Sequence, residues 1–166
     1  MNPQTLKAQL TFSQIVLHRN LDGLSHEDSL HHPQPDVSCL NWVLGHIVSA
    51  RNTMLKLFGR EPLIPDAQLQ IYRPRATPPL DPSQAIQLSQ LATWFDQLQD
   101  ELVASLKSVS DEHLAQPAPF SPTSNPKETI GSLLANLVAH EAYHSGQIGL
   151  LRRLAGKPGA IAGPPA

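Results

Sequence analysis

Hydrophobic residues recur every three or four positions over four long segments of this chain, and proline-rich polar stretches separate the segments. That period is the signature of helices with a buried stripe. The first segment, residues 3 to about 22, carries two apolar sets. Leu6, Leu10, Ser13, Leu17 and Leu21 mark one face, and Ala8, Phe12, Ile15 and Val16 mark nearly the opposite one. Such a helix packs on its own bundle and on a second subunit, or lies centrally and is covered on both sides within one chain. A second helix, capped by Asp36 or Ser38, runs to about Phe58 before Gly59, with its stripe at Leu40, Val43, Leu44, Ile47, Met54, Leu55 and Phe58. The third starts at Asp81-Pro82-Ser83-Gln84, an N-cap followed by proline and glutamine at favoured positions. Its face holds Leu91, Trp94, Phe95, Leu98, Leu102 and Leu106. The fourth spans Lys127 to Ala155, launched by Asn125-Pro126 and stopped by Gly156. Heptad counting puts Ile130, Leu133, Leu137, His140, His144, Gln147, Leu151 and Leu154 on one stripe, predicted to face the interior.

The connections carry their own signals. Ser25 to Val37 contains the tandem His31-His32 beside prolines, where imidazoles read as solvated or as metal ligands. Gly59 to Pro79 is long enough to cross the molecule and let the second and third helices run parallel. Tyr72, Arg73 and Arg75 lie in it and could meet an anionic ligand or stay solvated. Asp96 and Glu101 fall off the third stripe and read as solvated; Ser110 to Ser124 reads as irregular, with a short turn at Asp111-Glu112-His113. No stretch alternates as a strand does. The expectation is an all-α four-helix bundle over residues 1–156, followed by a flexible Gly/Pro-rich tail over 157–166.

Composition narrows the function. With a net charge of −2 and Arg152-Arg153 as the largest basic cluster, nucleic-acid binding has little electrostatic footing. No apolar run approaches a bilayer span, so no membrane partner is expected. The opening MNPQTLKAQL lacks the pattern of a secretory signal, and the single Cys39 makes no internal disulfide; together they point to the cytoplasm.

The chemistry concentrates in histidines. His140 and His144 are one helical turn apart, so their rings leave one face and can hold one metal ion between them. His46, at the edge of the second stripe and aligned with Trp42, Ala50 and Thr53, is placed to turn inward and join them. Three imidazoles suit Zn²⁺ or Ni²⁺, with Fe and Mn also compatible, and leave positions for water or a small-molecule substrate. Gln147 could orient a ligand. Glu141 could act as base or as an acceptor behind a ligand, or be a plain surface-edge glutamate. The alternative is a set of buried histidines satisfied by neighbouring side chains. His140-Glu141-Ala142-Tyr143-His144 also fits the H-E-x-x-H protease pattern. Against that reading, no His, Asp or Glu follows His144, and Leu150 stands where a metzincin has its third histidine.

L-N-W-V-L-G-H-I around His46, H-E-A-Y-H-S-G-Q-I at 140–148 and the following G-K-P together resemble the DinB/YfiT-like superfamily. The resemblance covers most of the chain. It implies an up-down-down-up four-helix bundle, often a homodimer, with a metal triad at His46, His140 and His144. It also implies either hydrolase chemistry or transfer using a low-molecular-weight thiol such as bacillithiol, mycothiol or glutathione. A non-catalytic metal- or ligand-binding bundle, or a dimerisation module, is the alternative outcome.

Overall fold

The structure, a computed structural model, describes residues 2–74 and 80–161. Arg75, Pro78, Pro79 and the last five residues of the tail lie outside the described residues. The protein is all-α, and no strand occurs among the described residues. Four long helices carry it: α1 (Pro3–Leu21), α3 (Leu40–Leu57), α4 (Leu88–Ser108) and α6 (Ile130–Leu154). Two short ones, α2 (His26–Ser29) and α5 (Asp111–Ala115), and a 3-10 helix over Asp66–Tyr72 lie in the connections. Both α1 and α3 pack against α4 and α6, so the four long helices close a ring around a core of leucines.

Local chemistry explains most boundaries. Asn2 caps α1 by accepting from the Gln4 N–H at 2.8 Å, with Pro3 at the first helical position. Gly23, Gly59 and Gly156 leave α1, α3 and α6 at positive φ (69°, 69° and 80°), which a side chain would resist. Of the two faces of α1, Leu6, Leu10, Ser13 and Leu17 are buried, whereas Phe12 is 68% and Ile15 47% exposed. The chain itself therefore does not cover the second face, which corrects the reading of α1 as a helix buried on both sides.

Several starts differ from expectation. The segment after Gly23 contains α2, because Ser25 and Asp28 form a reciprocal capping box. A turn from Gln34 to Val37 takes Asp36, and α3 begins after buried Cys39 with no side-chain cap, one residue beyond Ser38. Asp81 does make its cap-like bonds to Ser83, but only one turn forms. The Ile86 N–H is taken by the Tyr72 hydroxyl and its carbonyl by Asn41, so tertiary bonds delay α4 until Leu88. The Asn125 pattern likewise closes a turn, and an isolated bridge between Pro117 and Thr129 holds the chain extended. A capping box of Thr129 and Ser132 then starts α6.

The long connection is not a loose crossing. Its 3-10 helix packs on α3, and the Tyr72 ring lies where a Cβ on Gly45 would sit. Tyr72 is fully buried and its hydroxyl donates to Asn41 Oδ1 at 2.9 Å. The expectation that it meets a ligand from a surface loop is thereby overturned: its ring is core. Arg73 is half-exposed and pairs with Asp66 at 3.2 Å.

Candidate metal centre

Ile130, Leu133 and Leu151 of the expected stripe are buried, but through the middle of α6 the buried line is Leu134, Val138, Glu141, Ser145, Ile148 and, beyond it, Arg152. The stripe drawn through His140, His144 and Gln147 is therefore one residue off. Those three are partly buried along the flank of the seam, and Leu154 at its end is 48% exposed. The offset matters chemically, since it puts the two imidazoles beside α3 near the surface and puts Glu141 inside.

His46 on α3 is 7% exposed and completes the group. Its Nε2 lies 3.1 Å from His140 Nε2, which is 3.0 Å from His144 Nε2. Ligand nitrogens of all three rings lie within 4.8 Å of one another, a geometry that could hold a metal ion. Each outer ring is fixed from behind. His46 Nδ1 donates to the Tyr72 carbonyl at 2.8 Å, and the ring stacks on Trp42 with centroids 5.0 Å apart. Trp42 is itself held, its indole N–H donating to the Ile71 carbonyl at 3.0 Å. His144 Nδ1 donates to Gln147 Oε1 at 2.5 Å.

These bonds decide where the protons are. A carbonyl oxygen only accepts, so His46 and His144 each carry the proton on Nδ1 and present an Nε2 lone pair. Both lone pairs meet His140 Nε2, which has at most one N–H to give. One acceptor is left without a donor, and the buried His140 Nδ1 has no hydrogen-bond partner. Extra protons are disfavoured. Burial lowers the pKa of all three rings, and that of His140 falls to about 4, with the neighbouring His144 and His46 adding to the effect. A divalent ion fits this donor set. Two imidazole nitrogens at about 2.0–2.1 Å from a tetrahedral ion stand roughly 3.3 Å apart, close to the spacings here.

Glu141 is 1% exposed, which overturns the surface-edge reading. Arg51, also fully buried, forks onto it: Nε donates to Oε2 and Nη2 to Oε1, both at 2.8 Å. Ser13 donates to Oε1 at 2.5 Å. Sequence reasoning missed Arg51, although the signal was there: a charge on the line of Leu44, Ile47, Val48, Met54 and Leu55, which is otherwise apolar. Other expectations resolve simply. His31 is exposed, and His32 donates to the Val37 carbonyl at 3.0 Å, closing its own loop. Neither joins the cluster around His46. Asp96 and Glu101 are half-exposed as expected, yet paired, with His18 at 2.7 Å and Arg60 at 2.9 Å.

A cavity of about 780 Å³ lies on the other side of α6, between it and α1, with Phe12, Val16, Ala142, Gly146 and Leu150 in its walls and no histidine. No helix among the described residues is long and apolar enough to cross a membrane.

Residues 9–148 match the family model of the DinB superfamily. No curated protein matches the chain. Among solved structures, the chain is similar to one described as the conserved protein of locus from Enterococcus faecalis. That similarity has a TM-score of 0.72 at 18% identity and covers 93% of this chain and 97% of the other, a likeness of fold. The family match spans most of the chain, which therefore belongs to the DinB superfamily.

Proposed function

We propose that this DinB-superfamily protein is a metal-dependent enzyme acting on a small molecule, with His46, His140 and His144 holding one divalent ion, Zn²⁺ or Ni²⁺ before Fe or Mn. The observation that carries the reading is the meeting of two fixed Nε2 lone pairs on His140 Nε2 at 3.1 and 3.0 Å, where protons alone cannot satisfy all three rings. When bound, the ion supplies a Lewis acid that favours the deprotonated form of the nucleophile, water or a low-molecular-weight thiol. The chain's own residues orient and shield. Tyr72 and Gln147 hold the outer rings through their Nδ1 protons, and Trp42 covers one face of His46. The reading keeps Gln147 next to the chemistry and takes Glu141 out of a base role, because its oxygens already accept from Arg51 and Ser13.

The reading includes an up-down-down-up course of the long helices in one domain. Contacts of Arg51 with Phe95 and of Arg60 with Glu101 support α3 and α4 running together, and contacts of Ser13 with Glu141 and Asn20 with Gly149 support the same for α1 and α6. It also includes a cytoplasmic location and a homodimer, the dimer supported by the uncovered Phe12, Ile15 and Leu150. The test is metal content by mass spectrometry. Wild type is expected to carry about one ion per chain and His144→Ala far less. Equal, substoichiometric metal in both would defeat the reading.

A further inference from the structure

Arg51 and Glu141 join the two helices that carry the imidazoles. His46 and Arg51 are both on α3; His140, Glu141 and His144 are all on α6. The guanidinium is held on every side. Besides its fork on Glu141, Nη1 donates to Gln14 Oε1 and to the Phe95 carbonyl, both at 3.1 Å, and Cζ lies 3.7 Å from the Phe95 ring centroid. All four long helices thus meet at one ion pair. A buried ion pair is a poor source of stability, since desolvation offsets most of its attraction, and an apolar pair of like volume does as well or better. What an apolar pair lacks is direction. A two-pronged fork with both distances at 2.8 Å sets one axial position and one rotation of α3 against α6.

We propose that Arg51 and Glu141 are positioning residues for the metal centre, holding α3 and α6 in the single register that brings His46 Nε2 to His140 Nε2. The inference rests on the metal reading above. Neither side chain is needed as a ligand. Leucine-rich seams can slide by a helical turn, about 5.4 Å, and such a slide would carry His46 out of reach of the other two rings.

The test is the double variant Arg51→Met with Glu141→Leu, compared with wild type as apo protein and in Co²⁺ titrations followed by visible absorption. The melting temperature of the apo variant is expected to match or exceed that of wild type. Its Co²⁺ dissociation constant is expected to rise about 10- to 100-fold, with weaker and shifted ligand-field bands that a purely structural role would leave alone. A stable double variant with wild-type affinity and bands overturns the inference. If the double variant does not fold, Arg51→Lys keeps the charge and removes the fork; a folded Arg51→Lys with wild-type affinity also overturns it. Wild-type protein that takes up no Co²⁺ fails the metal reading instead, so the two failures are distinct.

Discussion

Two polar clusters adjoin on α6, and they are opposite in kind. Around Glu141 every strong group is matched: a carboxylate with a guanidinium and a hydroxyl, the guanidinium with two further acceptors. Around His140 the groups are of one kind, nitrogens facing nitrogens, with one ring atom buried and unpartnered. Buried polar groups are normally satisfied, and an exception calls for a reason. The saturated cluster is architecture. The unsatisfied one is where, on the proposed reading, a divalent ion would sit. Residues one position apart on a helix thus take opposite roles because of the surface each faces.

Breaking the saturated cluster should have the largest effect. Arg51→Ala leaves the Glu141 carboxylate buried and unpaired, and should cost about 3–5 kcal/mol of unfolding free energy, read by denaturant titration. The unsatisfied cluster should respond in affinity, not stability. Gln147→Ala removes the acceptor that fixes His144, and should weaken metal binding about 10- to 100-fold by calorimetry while the apo melting temperature holds. The smallest effect belongs to the outer rim of the saturated cluster. Asp96→Ala removes half-exposed contacts with His18 and Gln14, and should cost about 0.2–1 kcal/mol. If Asp96→Ala cost as much as Arg51→Ala, the contrast between buried and rim polarity would fail.

The three histidines were legible because ligand spacing on a helix is a sequence property, and their convergence followed once α3 and α6 were neighbours. The four long helices were legible from their stripes. The phase of the α6 stripe was not. A line through His140, His144 and Leu151 and a line through Glu141, Ser145 and Ile148 are almost equally apolar on paper, and burying Glu141 becomes reasonable only with Arg51 opposite. The starts of α4 and α6 were misplaced for a related reason. Asp81 and Asn125 are good local caps, but Tyr72, Asn41 and Gln116 compete for the same backbone from far along the chain. Local propensity gives way where tertiary bonds claim the donors.

The Tyr72 ring set into the gap at Gly45 has a dynamic consequence. Lifting the 66–72 segment would empty that gap, leave Asn41 Oδ1 without its donor and strip His46 of its carbonyl at one stroke. Opening it is therefore expected to disturb the start of α3 as well. Its amide hydrogens are expected to exchange with the helical body of the protein, not with surface loops that breathe freely, which hydrogen exchange would read. The back wall of the proposed metal site is then expected to stay put.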